Sequence, residues 1–435
     1  MTGMDRKRAL PRRLAVALAV LAVCLVATAS AQAAGPAASG RLLVGFEQGA
    51  SKDRQQEVLA RVEGRLSKRF AGIRGGRLTV VRPRSGIALA LLRKRLARHS
   101  DVAYAEPDYL QFSSAAKTPN DPLYPLQWPV AESPSGYDID APTAWATRTS
   151  CAKVAIVDTG IDTDHPDLVA NLHKSGDKPN NDKDDDKNGY VDDTYGLNAI
   201  NGKGSAEDDN GHGTHVAGIV AGRANDALGV SGICWSAKLL PVKFMNSRGK
   251  GSTSDAIAAI QYAVRQGVKI VNCSFGSSSK SSALKDVVDY AQSKKVLLVV
   301  AAGNDGVNID KQPEYPAAYG ESNILTVAAT TDEDLLASFS NFGSKAVDVA
   351  APGDSVLSTY LGGGYKTLSG TSMAAPYAAG VAALLRKQEP DSTYGDLRYA
   401  IRRKVDTPPA LKGKVAYDGR LNAFKALQAI PGLVE

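Results

Sequence analysis

Residues 154–160 read V-A-I-V-D-T-G. Four apolar residues, three of them β-branched, are closed by Asp-Thr-Gly turn chemistry. A run this short and this continuous predicts a strand buried on both faces. Five further runs have the same character: L-L-P-V-K-F (239–244), I-V-N-C-S-F (270–275), V-L-L-V-V-A-A (296–302), I-L-T-V-A-A (324–329) and V-D-V-A-A (347–351). Helical patterns lie near 212–223, 253–266, 282–293 and 372–387. Doubly buried strands alternating with helices predict an α/β fold, a mainly parallel sheet covered by helices. In such sheets the working residues collect at the carboxyl ends of the strands.

The chain has 435 residues, 43% hydrophobic and 22% charged, enough to bury a large core. Its net charge of +7 invites a nucleic-acid reading, but the charge is unevenly placed. Residues 1–116 hold 20 Lys and Arg against 8 Asp and Glu, whereas residues 117–435 hold 32 against 37. The main body is therefore mildly acidic, and no nucleic-acid partner is expected. Part of the basic excess is Arg6, Lys7, Arg8, Arg12 and Arg13, ahead of an apolar run (14–29) and an Ala31-Gln32-Ala33 cleavage pattern. This layout predicts a signal peptide over 1–33 and a secreted protein. The general secretory route fits better than the twin-arginine one, despite Arg12-Arg13. Residues 41–112 read as a small α+β unit: strands at 41–46 and 78–81, helices at 51–63 and 87–98, and an extended end at 101–109. The linker-like S-S-A-A-K-T-P-N-D-P (113–122) follows.

The carboxyl-end rule selects Asp158 after the first run and Asn304 in A-A-G-N-D-G after the fourth. Ser372, in S-G-T-S-M-A-A-P (369–376), opens a helical run where a helix N-terminus favours developing negative charge. Residues 210–218, N-G-H-G-T-H-V-A-G, carry His212 and His215. A two-histidine zinc helix needs an i, i+4 spacing with a glutamate beside the first histidine, and neither is present. A general base at His212 needs a nucleophile and an orienting group, and Ser372 and Asp158 are available. His215, one turn on, is expected to face the core. Singly, Asp158 could be a strand-end cap and Ser372 an N-cap; together, the order Asp, His, Ser is specific.

Over roughly 117–429 the chain resembles the subtilisin-like serine proteases, the subtilases. The resemblance rests on V-A-I-V-D-T-G-I-D-T-D-H-P-D-L, N-G-H-G-T-H-V-A-G, I-V-N-C-S-F-G, V-V-A-A-G-N, A-S-F-S-N-F-G, V-D-V-A-A-P-G and G-T-S-M-A-A-P. Residues 41–112 resemble the family's inhibitory propeptide of the inhibitor-I9 type, most clearly at V-A-Y-A-E-P-D-Y. The resemblance implies a three-layer α/β/α subtilisin-like domain at 115–435 behind a ferredoxin-like propeptide at 34–114. It implies Ser372 as nucleophile, His212 as base, Asp158 as its orienting partner and Asn304 as oxyanion donor. An extended polypeptide substrate would pair with Ser274, Phe275 and Gly276. Ala301, Ala302 and Gly303 would line the pocket for the side chain before the cut bond. With no acidic residue in that stretch, an apolar or aromatic preference and otherwise broad specificity are expected. A binding protein on an inactive fold would have lost one of the four key residues, and all are kept. A narrow processing protease is not separated from a broad one by the sequence.

Residues 182–193, D-K-D-D-D-K-N-G-Y-V-D-D, crowd carboxylates into one loop. Asp184, Asp186 and Asn188 follow a D-x-D-x-N-G calcium pattern, with Tyr190 (carbonyl) and Asp193 as further ligands. No glutamate stands at the twelfth position, so this is not an EF-hand. The resemblance implies a second calcium site from Asp121, Asp167 and Asp226 with the carbonyls of Ala224, Leu228 and Val230. Calcium, at one or two structural sites, is the cofactor expected, with no organic cofactor. The partners expected are polypeptide substrates and the chain's own propeptide, with the enzyme monomeric and without stable membrane association. Cys151 and Cys234 each precede strands expected to be neighbours, which predicts a disulfide between them. Cys273 is left as a buried free thiol.

Overall fold

The computed structural model of the chain describes residues 37–84, 87–109, 116–132 and 136–429. The expected signal peptide and most of the expected propeptide junction lie outside the described residues.

The N-terminal unit comprises β1 (Ala37–Phe46), α1 (Lys52–Arg61), β2 (Gly64–Phe70), β3 (Leu78–Pro83), α2 (Leu89–Leu96) and β4 (Val102–Tyr109). Its sheet is antiparallel in the order β2-β3-β1-β4, the ferredoxin-like arrangement. Leu89, Leu92 and Leu96 lie on one face of α2 and, with Val58 and Leu59 of α1, pack on Leu42, Val44, Phe46 and Val81. The cations Arg93, Lys94 and Arg95 fall on the other side of that stripe, so this basic run is a solvated helix face. Strand β2 was not legible in the sequence. It is a mostly exposed edge strand carrying Arg65, Lys68 and Arg69, charges that discourage further strand pairing.

The larger part follows as α3 (Ala141–Thr147), β5 (Val154–Asp158), β6 (Leu197–Asn198), β7 (Lys203–Gly204), α4 (His212–Ala221), β8 (Leu239–Lys243), α5 (Thr253–Arg265), β9 (Ile270–Cys273), α6 (Ser282–Ser293), β10 (Leu297–Ala301), β11 (Ile324–Thr330) and β12 (Val349–Pro352). The hairpin β13 (Val356–Tyr360) and β14 (Gly364–Leu368) comes next. Then come α7 (Thr371–Gln388), α8 (Tyr394–Arg403), β15 (Val405–Asp406), β16 (Arg420–Leu421) and α9 (Ala423–Leu427). The main sheet has the order β15-β16-β12-β11-β10-β9-β5-β8-β6-β7 and is parallel from β16 to β6.

Each central strand sends alternate residues to opposite faces. In β10, Leu297, Val299 and Ala301 join one core while Leu298, Val300 and Ala302 join the other. In β5, Val154 and Ile156 go one way and Ala155 and Val157 the other. This division explains the absence of apolar–polar alternation in the sequence. Helices α4 and α7 cover one face, α5 and α6 the other. Strand β5 pairs with both β8 and β9, and the chain builds the sheet outward from it in both directions. That reversal opens a crevice at the carboxyl end of β5, where Asp158 sits.

Candidate active site

The Asp158 side chain is fully buried at the tip of β5. Its Oδ1 accepts the Thr159 backbone N–H at 2.7 Å and lies 2.7 Å from His212 Nδ1. His212 is the first residue of α4, behind Gly211 at φ +100°. A side chain at Gly211 would be strained there and would collide with the Tyr360 ring, its Cβ only 2.5 Å away. The helix start is braced further. Asp208 accepts the N–H groups of Asn210, Gly211 and Thr214, and Thr159 Oγ1 accepts that of Gly213. Burial acts to lower the His212 pKa, but the charge and hydrogen bond of Asp158, with Asp208 adding, outweigh it, and the net shift is upward. The imidazole is thus a stronger base than an ordinary histidine.

His215 points elsewhere. It is fully buried, and its Nε2–H is shared between the carbonyls of Val356 (3.1 Å) and Lys366 (2.9 Å) on the β13–β14 hairpin. Burial pushes its pKa down to about 4, so it stays neutral. The two histidines serve different partners and cannot share a metal ion.

Ser372 is the second residue of α7. Pro376, four residues on, has no N–H to give to the Ser372 carbonyl. Ser274 Oγ donates to that carbonyl instead, at 2.9 Å. Ser372 Oγ in turn donates to the Ser274 carbonyl at 3.2 Å. No hydrogen bond joins Ser372 to His212 among the described residues. Hydrogen bonds between a nucleophile and its base are commonly long or poorly aligned until substrate is bound. Asn304 follows β10, and its Oδ1 accepts both the N–H (2.8 Å) and the hydroxyl (3.0 Å) of Thr371. Because an amide is planar, that anchoring turns Nδ2 away from Thr371. A Cβ on Gly370 would be 3.5 Å from Asn304 Nδ2 and 3.7 Å from the Ser372 nitrogen, so these two donors border one small space. Thr371, which holds both Asn304 and the Gly303 N–H, was missed by sequence reasoning. Only the tertiary fold gives it those partners.

Strand β9 ends at Cys273, and Ser274, Phe275 and Gly276 follow directly from its carboxyl end. Phe275 stacks edge-on against Phe244 at 4.6 Å, and both line a cavity of about 350 Å³ with Leu284 and Tyr315. Ala301 and Ala302 are buried, and Gly303 is half-buried at the strand tip. Cys273 is buried, and desolvation raises its thiol pKa. Cys151 and Cys234 are joined in a disulfide with Cα atoms 5.6 Å apart.

In the acidic loop, carboxylate oxygens of Asp177, Asp184 and Asp186 lie within 4.8 Å of one another. Asp177 was not anticipated, since it precedes the motif. Asn188 is committed locally: its Nδ2 donates to Asp193 Oδ2 and its Oδ1 accepts the Tyr190 N–H. The other Asp193 oxygen is buried without a partner, and burial raises its pKa. Tyr190 stacks on Tyr262, whose hydroxyl donates to Asp193. Clustered carboxylates and an orphaned buried oxygen fit a hard cation such as calcium. The second set also converges. Asp121 accepts the N–H groups of Asn225 and Asp226, and Asp167 accepts that of Val230. Burial, then the charges of Asp226 and Asp121, push the Asp167 pKa up to about 7, and its Oδ1 is buried without a partner. Leu228 donates its N–H to Asp226, and Ala224 is buried nearby in the same loop.

An open, mostly parallel sheet with a carboxylate at the tip of a central strand, and an imidazole and a hydroxyl at the starts of two helices, is the arrangement of a serine hydrolase built on an α/β fold. A family model described as the Subtilase family matches residues 150–424, and one described as the Fervidolysin N-terminal prodomain matches residues 26–108. Thermitase of Thermoactinomyces vulgaris is 38% identical over 72% of this chain and 99% of its own length. Subtilisin amylosacchariticus of Bacillus subtilis subsp. amylosacchariticus is 32% identical over 93% of this chain and 94% of its own length. A solved protease of Pseudoalteromonas arctica PAMC 21717 superposes with a TM-score of 0.60 at 32% identity, covering 72% of this chain and 99% of that one. The chain belongs to the subtilase family: it is a serine-type endopeptidase preceded by a prodomain.

Proposed function

We propose that the chain is a secreted, self-processing endopeptidase in which Asp158, His212 and Ser372 form the triad. The observation that carries this reading is the 2.7 Å contact between Asp158 Oδ1 and His212 Nδ1. It fixes the proton on Nδ1 and leaves Nε2 as the base. Ser372 Oγ leaves the Ser274 carbonyl and attacks the scissile carbonyl carbon, and its proton passes to His212 Nε2. The backbone N–H of Ser372 and the Nδ2 of Asn304 take up the charge on the carbonyl oxygen. His212 then returns the proton to the leaving amine. Water, deprotonated by the same imidazole, attacks the acyl carbon, and that proton passes to Ser372 Oγ as the ester bond breaks, restoring the free serine and the neutral imidazole.

Ser274, Phe275 and Gly276 accept the substrate as an added strand. Backbone pairing reads no side chains, so specificity away from the cut bond is broad. Ala301, Ala302 and Gly303 flank the pocket for the residue before that bond. Residues 34–114 act as intramolecular inhibitor and 115–435 as the catalytic domain, monomeric and exported by the signal at 1–33. No described helix is long and apolar enough to cross a membrane. Asp177, Asp184 and Asp186 would hold calcium, with Asn188, Tyr190 and Asp193 completing the loop. Asp121, Asp167 and Asp226 with the Ala224, Leu228 and Val230 segment would hold a second ion. Each ion neutralises carboxylates that otherwise repel, a structural role.

The test is casein hydrolysis by the wild type beside Ser372→Ala and His212→Ala, all confirmed folded by circular dichroism. Loss of activity in both variants is expected. Activity retained in either would remove that residue from the triad.

A further inference from the structure

We infer that Glu314 makes this protease select a basic residue, Lys or Arg, on the amino side of the scissile bond. The inference rests on the reading that Ser274–Gly276 and Ala301–Gly303 flank the pocket for that residue.

Glu314 lies in neither segment, and its place is set by tertiary structure. Its neighbour Tyr315 exchanges two backbone hydrogen bonds with Ser277, of 2.8 and 2.9 Å, in an isolated antiparallel bridge. That bridge seats Glu314 beside Gly276. A Cβ built on Gly276 would stand 2.7 Å from Glu314 Oε1, and one built on Gly303 would stand 3.4 Å from Glu314 Cγ. The side chain therefore spans the gap between the two segments, with its carboxylate against the backbone of one and its stem against the tip of the other. Glycine at both positions leaves room for it.

The carboxylate is half-buried and has no hydrogen-bond donor and no cation paired with it among the described residues. Its pKa is raised by burial and by the charge of Asp305, the exposed residue next to Asn304. A partly desolvated carboxylate without a counter-ion is costly, and a substrate ammonium or guanidinium supplies one. An aromatic side chain in the same space would bury the carboxylate further and leave it unpaired. The apolar preference expected from Ala301–Gly303 was read from that stretch alone, and Glu314 lies eleven residues beyond it.

The experiment measures kcat/KM on a matched set of peptide anilides differing only in the residue before the cut: Arg, Lys, Phe and Leu. Wild type, Glu314→Gln and Glu314→Asp are compared, with casein hydrolysis run alongside. The wild type is expected to favour Arg and Lys over Phe by roughly tenfold or more. The ratio should collapse by a similar factor in E314Q and persist in part in E314D. A wild type that prefers Phe or Leu, or a ratio unchanged in E314Q, overturns the inference while casein cleavage leaves the endopeptidase reading standing. If the wild type cuts neither casein nor any anilide, the endopeptidase reading fails, and the inference fails with it. Should E314Q not fold, the wild-type ratio and E314D decide the matter.

Discussion

Asp158 and His212 are 54 residues apart in sequence and 2.7 Å apart in space. The proposed mechanism requires a neutral His212 imidazole, so kcat/KM should rise with pH through the His212 pKa, which Asp158 holds above its ordinary value. In Asp158→Asn the lowering effect of burial is no longer opposed by that carboxylate. The acid limb should move to lower pH, while kcat falls by about 10³–10⁴ because the wrong tautomer is favoured. An acid limb that stays in place would show that Asp158 does not govern His212. Asn304→Ala should lower kcat by roughly two to three orders of magnitude with KM little changed; a fall confined to KM would make Asn304 a ground-state binder. At this scale the sequence was informative where chemistry is written locally, as in D-T-G, H-G-T-H and G-T-S-M. It was silent on Thr371, Ser274 Oγ and Glu314, whose partners lie up to 98 residues away.

The loop around residues 177–193 behaves as one element. Three carboxylates within 4.8 Å repel one another unless a cation sits among them. Chelation with EGTA should therefore lower the melting temperature, and added calcium should restore it. Asp184→Asn should weaken that response, as should Asp177→Asn, which removes the carboxylate outside the D-x-D-x-N-G pattern. Melting temperatures indifferent to EGTA and calcium would remove the metal from the account. Long helices were readable: α6, with one buried face, was expected at 282–293 and is found there, and α7, buried along most of its length, was expected at 372–387 and spans Thr371–Gln388. The hairpin β13–β14 was not readable, because V-L-S-T-Y buries the polar Ser358 and Thr359 beside Val356 and G-Y-K-T-L has no fully buried residue, so neither carries an apolar stripe. Its signal was the Gly362-Gly363 turn, both at positive φ. Helix α8 was also passed over, although Thr393 and Asp396 form a capping box at its start. The run 347–351 becomes a strand only at Val349, and just before it the Thr326 N–H is taken by the Asp348 side chain rather than by a backbone carbonyl.

Across the whole molecule, the Cys151–Cys234 bridge closes a loop of 83 residues that contains β5, the acidic loop and α4. A Cys151→Ser, Cys234→Ser double variant should lose about 4.5 kcal/mol by the loop-entropy estimate. Denaturant unfolding checks this, and a loss below about 1 kcal/mol would mean the fold alone holds that segment. The polarity of the chain, basic through residue 116 and mildly acidic beyond, suits a prodomain that binds its own enzyme and is then cut away. The architecture of both parts was legible because burial on two faces and a leucine stripe on α2 leave clear sequence patterns. The order of the strands was not, because it depends on where the chain reverses around β5. The central claim is that Ser372 performs peptide-bond chemistry, first on its own chain. Intact mass of the purified wild type and Ser372→Ala, prepared in parallel, tests it most directly. The wild type should appear as a fragment starting near 113–117 that cleaves casein, and Ser372→Ala should remain joined to its prodomain. Identical processing of both, with casein intact in both, would contradict the claim.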